Sequence, residues 1–200
     1  MAIAAVLVAY LIGSVSFAVV VSRLMKLPDP RTYGSNNPGA TNVLRSGRKS
    51  AAVLTLAGDC AKGWLAVFLA GNVFATNEPA TDTIALAAVA VVVGHMYPVF
   101  HRFEGGKGVA TALGVLLGLN LWLGADTVAT WVIVAFFFRI SSLAALLAAL
   151  SAVFSCFLLY GLHAYTAATA VIALLLIWRH QSNIKNLLAG REPRIGARRA

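Results

Sequence analysis

Seven runs of apolar residues take up most of this chain: Ala2–Ser22, Ala52–Gly71, Thr83–Val99, Val109–Leu121, Thr127–Phe138, Leu143–Tyr160 and Tyr165–Trp178. A helix needs about 20 apolar residues to cross about 30 Å of hydrocarbon. The runs therefore predict an all-α polytopic membrane protein with about seven transmembrane helices. Composition agrees, since 60% of the 200 residues are hydrophobic and only 12% are charged, against about 45–50% and about 25% in soluble domains. That balance excludes a water-soluble core, and the single set of spans predicts one domain over 1–200. The fourth and fifth runs are short. They read either as shortened helices sheltered by neighbours or as a re-entrant pair that enters and leaves on one side, with five further spans.

Basic residues alternate from loop to loop. Arg23, Lys26, Arg31, Arg45, Arg48 and Lys49 fall after the first run, Arg102 and Lys107 in the third loop, and Arg139 in the fifth. Arg179, Lys185, Arg191, Arg194, Arg198 and Arg199 fall in the tail. The alternate loops hold Glu78, Asp82 and Asp126 with no Lys or Arg. The positive-inside rule then predicts an external N-terminus and a cytoplasmic C-terminus. The first run has no basic segment before it and is long for a signal sequence, so it reads as a retained helix. A net charge of +9 suits a basic face beside anionic headgroups, where anionic substrates are also drawn, and calls for no nucleic acid. Lys62 is the one Lys or Arg inside a run. Asp59 precedes it by three residues, and charges at that depth are expected to pair, holding a site rather than reacting. Cys60 and Cys156 lack metal or redox spacing and read as packing residues.

Three polar stretches fall in the loops predicted to be cytoplasmic. The first is Ser35-Asn-Asn-Pro-Gly-Ala-Thr-Asn-Val-Leu-Arg45. Gly34, Asn36, Asn37, Pro38 and Gly39 favour sharp turns whose N–H groups converge on an anion. Thr41 or Asn42 is expected to cap a new helix, and Arg45 offers a planar fork suited to phosphate. In the second stretch, Glu104-Gly-Gly-Lys-Gly108 leads straight into an apolar helix. Its glycines admit a phosphate close to the backbone, and Lys107 adds charge at the helix start. Gly108 stands where a Walker A motif has Ser or Thr, so this is not that motif. His95 and His101 flank the same region. In the third, His180 and Asn183 are spaced to share a helix face, Trp178 and Arg179 read as an interfacial anchor, and Arg139 and Ser142 are placed to reach the same end. No Ser-His-Asp set is evident. The positions five after the histidines are Phe100, Gly106, Ala168 and Lys185, so His-x4-Asp is absent.

Together the three stretches resemble the motifs of the bacterial acyl-phosphate:glycerol-3-phosphate acyltransferases, the PlsY family. The first family motif, Ser-Gly-Asn-x-Gly-Ala-Thr-Asn-x-x-Arg, is matched over Ser35–Arg45 with Asn36 in place of glycine. Asn is the next-best residue for a left-handed backbone, so the loop is expected to survive. The second is similar to Gly94–Thr111, and the third to Arg179-His180-x-x-Asn183-Ile184 with Gly190 and Glu192 downstream. The resemblance implies a multi-pass enzyme of the bacterial inner membrane, with its site facing the cytoplasm. It implies transfer of a fatty acyl group from acyl phosphate to the 1-hydroxyl of glycerol 3-phosphate, giving lysophosphatidic acid and phosphate, the first acylation of phospholipid synthesis. It implies no cofactor, no metal, and no direct use of acyl-CoA or acyl carrier protein. Carried onto this chain, the catalytic set is Ser35, Lys107, His180 and Asn183. The binding set is Asn37, Gly39, Ala40, Thr41, Asn42, Arg45, His95, Gly105, Gly106, Gly108, Arg139 and Ser142.

Overall fold

The computed structural model describes residues 1–74 and 80–196. Glu78 of the second loop and Arg198 and Arg199 of the tail lie outside them. All ten α-helices of the described residues come from the expected runs and the polar stretches between them, with no strand among those residues. They are α1 Ala2–Ser14, α2 Phe17–Leu24, α3 Ala40–Leu44, α4 Lys49–Leu69, α5 Ala80–Met96, α6 Val109–Leu119, α7 Leu121–Phe138, α8 Ser141–Tyr160, α9 Ala164–Arg179 and α10 Gln181–Leu188. A π turn over Ala70–Phe74 extends α4. Among the described residues, five helical stretches are long and apolar enough to cross a membrane: Ala2–Leu24, Lys49–Phe74, Ala80–His101, Leu121–Phe138 and Ser141–Tyr160. Val109–Leu119 and Ala164–Arg179 are apolar but shorter.

Two boundaries differ from those expected. The fifth run is not short, because α7 begins at Leu121 rather than Thr127. Asn120, extended at φ −164 and ψ 130, accepts the Trp122 N–H and starts it. Gly124 and Asp126 interrupt the apolar pattern without interrupting the helix. The short helices are instead the fourth and the last. The first run is also not one helix. It breaks at Val15 and Ser16, both extended. A carbonyl freed by such a break cannot be left bare inside hydrocarbon. Here Lys62 Nζ donates to Val15 O at 2.7 Å and makes an ion pair with Asp59 Oδ1 at 2.8 Å. The pairing expected of Asp59 and Lys62 is therefore present, and it mends a broken span.

Small residues let the helices close on one another. A Cβ on Gly63 would strike the Thr111 carbonyl, and one on Gly114 the Cys60 carbonyl, so α4 and α6 pack backbone to backbone. Without a hydrophobic drive between helices in lipid, close approach of this kind is a main source of association. The main core joins α1, α4, α5, α6 and α9 through Ala9, Ala66, Ala88, Val91, Val115 and Ile172. α7 is different. Most of its large side chains, Phe136, Phe137 and Ile133 among them, face outward. It attaches through Leu123, which packs with Ala152 and Cys156, and through Asp126, which accepts hydrogen bonds from Ser151 and Ser155 at 2.8 and 2.9 Å. That loose seat leaves space between α7 and the core.

Candidate functional site

The three polar stretches meet at one end of the bundle. In the first, the backbone turns on Gly34 and Asn36, with φ 65 and 55. Asn36 thus adopts the left-handed conformation expected of it. Asn42 is buried and knits the turn together. Its Nδ2 donates to the carbonyls of Pro30 and Tyr33 at 2.7 and 3.1 Å, and its Oδ1 accepts the Ser35 N–H at 3.0 Å. Arg45 Nη1 lies 3.4 Å from the same oxygen, with the rest of the guanidinium exposed. Neither Thr41 nor Asn42 caps α3: the cap is Gly39, and no side chain bonds there. Asn42 is committed to the loop's own backbone one turn further on. Thr41 instead lies 3.4 Å from Ser141 at the start of α8. Ser35 and Ala40 stand on the loop surface beside Asn37, whose carbonyl accepts the Gly39 N–H at 2.9 Å.

The second stretch lies directly against the first. A side chain on Gly106 would occupy the place of His95 Nε2 and come within 3.0 Å of the Pro38 carbonyl, so only glycine fits. The Gly106 N–H donates to the His95 carbonyl at 3.1 Å. Arg179 holds the loop from the other side, donating through Nε to Gly106 O at 3.1 Å and through Nη2 to Gly105 O at 2.8 Å. Its guanidinium stacks 5.3 Å from the centre of the Tyr97 ring. Gly108, at φ 86, starts α6, and no side chain bonds the helix's first turn.

Lys107 links the second stretch to the third. Its Nζ donates to Asn183 Oδ1 at 2.5 Å, and Asn183 Nδ2 donates to Glu192 Oε1 at 2.6 Å. Ser142 Oγ donates to the same carboxylate oxygen at 2.7 Å. Arg139 reaches the following segment: its Nη2 donates to Ile195 O at 3.0 Å, and its carbonyl accepts the Ile195 N–H. His180 and Asn183 do not share one helix, because the chain bends at His180 between α9 and α10. Asn183 still bonds Lys107, and His180 lies near enough to feel the Lys107 charge. Glu192, which joins Ser142 to Asn183, and Arg179, which fixes the glycine carbonyls, stand outside the site expected from sequence. The adjacency of Arg179 to His180, and of Glu192 to the third stretch, was the available signal.

Charge states follow from burial. Lys107 is held below the ordinary lysine pKa by burial; Glu192 opposes the shift, and the neighbouring Arg179 and Arg45 reinforce it. His180, 3% exposed, is pushed down to about 4, chiefly by burial, with its bond to Leu176 opposing and Lys107 adding to the effect. Its Nδ1 is 2.7 Å from the Leu176 carbonyl. A carbonyl only accepts, so Nδ1 carries the hydrogen and Nε2 keeps its lone pair. At neutral pH the site thus presents a neutral imidazole acceptor in the company of Lys107, Arg45 and Arg179.

A cavity of about 290 Å³, walled almost wholly by apolar side chains, runs between α6, α7, α8 and α9. Val109 and Leu176 are in its wall, next to Gly108 and to the carbonyl that holds His180. Along α8 the wall runs from Ala145 to Ala152, about 10 Å at 1.5 Å per residue. Among the described residues no His, Cys, Asp and Glu cluster has the arrangement of a metal site.

Known proteins share both sequence and fold with this chain. The family model described as glycerol-3-phosphate acyltransferase matches residues 3–190. A glycerol-3-phosphate acyltransferase of Ralstonia pickettii (strain 12J) is 62% identical over 193 residues, covering 96% of this chain and 93% of its own length. One from Nitrosomonas eutropha (strain DSM 101675 / C91 / Nm57) is 55% identical over 191 residues, covering 94% of each. Two crystal structures of PlsY (YgiH), an integral membrane glycerol 3-phosphate acyltransferase, superpose on it. The glycerol 3-phosphate form has a TM-score of 0.89 at 38% identity, covering 98% of this chain and 96% of that one. The lysophosphatidic acid form has a TM-score of 0.88 at 36% identity, covering 98% and 95%. With the family model spanning nearly the whole chain and the fold shared from end to end, this membrane protein belongs to the PlsY family of glycerol-3-phosphate acyltransferases.

Proposed function

We propose that this chain transfers a fatty acyl group from acyl phosphate to the 1-hydroxyl of glycerol 3-phosphate, releasing lysophosphatidic acid and inorganic phosphate. The observation that carries the reading is the meeting of two unlike environments. Arg45, Lys107 and Arg179 gather positive charge around two tight loops, and a narrow apolar cavity starts at the same place. Both substrates are anions, and one has a long apolar tail. The tail lies in the cavity beside Val109 and Leu176, which puts its carbonyl near Lys107 and His180.

An acyl phosphate is a mixed anhydride, so the chemistry needs alignment more than activation. The glycerol hydroxyl oxygen bonds to the carbonyl carbon, and the bond from that carbon to the phosphate oxygen breaks. Charge builds on the carbonyl oxygen and on the departing phosphate, where Lys107 and Arg45 stabilise it. Neutral His180 accepts the hydroxyl hydrogen bond through Nε2 and aims the oxygen; Asn183 and Ser35 complete its placement. With a pKa of about 4, His180 is a weak resting place for the proton. A phosphate group whose second pKa is about 6 is the stronger base, so the proton leaves on the phosphate. No covalent enzyme intermediate forms.

The distribution of Lys and Arg supports a cytoplasmic placement of the site in the bacterial inner membrane, with an external N-terminus. Cysteine placed at position 104 should react with an impermeant maleimide only from the cytoplasmic side; labelling from outside overturns the orientation. The function is tested with purified protein in detergent, given palmitoyl phosphate and glycerol 3-phosphate while phosphate release is followed. Release dependent on both substrates, unchanged by EDTA, is expected. Turnover only with palmitoyl-CoA would overturn the donor, and inertness with either donor would overturn the activity.

A further inference from the structure

The proposed chemistry leaves a buried charged cluster unused. Asp59 and Lys62 of α4 and His95 of α5 are 2%, 3% and 7% exposed. Ionisable groups at such depth are costly and are kept for a reason. Mending the break at Val15 accounts for Lys62, and Asp59 balances its charge. Neither role accounts for His95. Its Nδ1 lies 3.5 Å from Asp59 Oδ1 and has no hydrogen-bond partner among the described residues. The other side of its ring forms the surface on which Gly106 rests. A carboxylate only accepts, so Nδ1–H faces Asp59 and the Nε2 lone pair faces the Gly106 backbone. The His95 carbonyl holds the Gly106 N–H as well. Two points of contact, ring and carbonyl, therefore tie one residue of α5 to the glycine loop.

We propose that Asp59 and His95 are positioning residues: through the His95 ring, the charged pair that mends the first span also sets the Gly105–Gly108 loop for glycerol 3-phosphate. This rests on the reading of the site above. The ring cannot rotate away without breaking the contact with Asp59, and Asp59 cannot move without loosening Lys62 from Val15 O. The kink of the first span, the middle of α4 and the glycine loop are thus mechanically one unit. The apolar cavity touches α4 only at Leu56 and is lined by none of Asp59, Lys62 or His95, so the acyl substrate should not sense the cluster.

The test compares His95→Ala, Asp59→Asn and the double variant with the parent chain in detergent. His95→Ala leaves both charges paired, which guards against simple failure to fold. Amide hydrogen exchange is measured across the peptide 102–109 and across α1, α4 and α5, together with KM for each substrate. Each single variant should speed exchange over 102–109 about tenfold; in His95→Ala the helices should be unchanged, while Asp59→Asn should also loosen the Lys62 contact with Val15. KM for glycerol 3-phosphate should rise about tenfold while KM for palmitoyl phosphate stays within twofold. The double variant should be no worse than the singles, because both act through one ring. Unchanged exchange at 102–109, exchange raised equally throughout the helices in His95→Ala, equal effects on both KM values, or additive effects would each overturn the proposal. The exchange measurement stands even if the parent chain releases no phosphate, so failure of the functional reading is told apart from failure of this one.

Discussion

The loop at 34–42 and the loop at 105–108 both demand unusual backbone, yet they are held in opposite ways. The first is held by itself. Asn42, from the same stretch, binds the carbonyls of Pro30 and Tyr33 and the N–H of Ser35. The second has no such internal staple. Its carbonyls are held by Arg179, at the end of α9, and Gly106 is seated on His95, at the end of α5. A local staple makes a loop that survives changes elsewhere. A loop held from two remote helices takes its shape from how those helices pack. The contrast teaches that one of the two loops proposed to bind anions is fixed by its own sequence, while the other reports the state of the whole bundle.

The largest expected effect strikes the self-held loop. Asn42→Ala leaves the Ser35 N–H and the carbonyls of Pro30 and Tyr33 without their partner, the Pro30 carbonyl in a buried place. At about 1–3 kcal/mol for each buried group left unsatisfied, the loop should open. Activity should fall more than roughly 100-fold, the scale of losing a preorganised site. Hydrogen exchange should rise over 30–45 and not over 102–109; a rise in both would break the comparison. Next comes Arg45→Lys, which keeps the charge but loses the planar fork. It should cost roughly 100-fold in kcat/KM with an unchanged melting temperature, and a near-normal rate would remove Arg45 from the site.

Arg179→Lys sharpens the comparison from the other side. A single ammonium cannot donate to both Gly105 O and Gly106 O while stacking on Tyr97. About tenfold loss is expected, near the 1.4 kcal/mol of one net hydrogen bond, with exchange raised over 102–109 and not over 30–45. Smallest at neutral pH is the effect of His180. Its folded pKa of about 4 lies below the ordinary value of about 6.5. The unfolded chain therefore binds the extra proton between those values and the folded chain does not. The fold should lose about 3 kcal/mol as pH falls from about 6.5 to about 4 and nothing from this group above that window. Rates between pH 6 and 8 should show no inflection from His180; one that vanishes in His180→Asn would mean that the imidazole titrates there and takes the proton itself.

Particular residues mark where sequence reasoning reached and where it stopped. Asn36 was legible because a positive φ is a local demand that Asn meets. The pairing of Asp59 with Lys62 was legible because a helix brings residues three apart together and lipid forbids isolated charge. Arg179 was not, since an arginine at the end of an apolar run has an ordinary interfacial reading, and its true partners are carbonyls in another segment. Glu192 lay in a polar tail whose fold back to Ser142 and Asn183 leaves no periodicity to read. The break at Val15 was hidden because Gly13, Ser14 and Ser16 around it are small residues that a continuous span also accommodates.

Hydropathy sorts residues between water and lipid one segment at a time, so the all-helical membrane architecture, the grouping of polar loops by side, and the family motifs could be read without coordinates. Which carbonyl Arg179 holds, which atom Lys62 mends, and which ring Gly106 rests on depend on how helices distant in the chain pack against each other. Those choices are made by steric fit and by the need to satisfy polar atoms inside a medium that offers no water, and only the assembled bundle makes them.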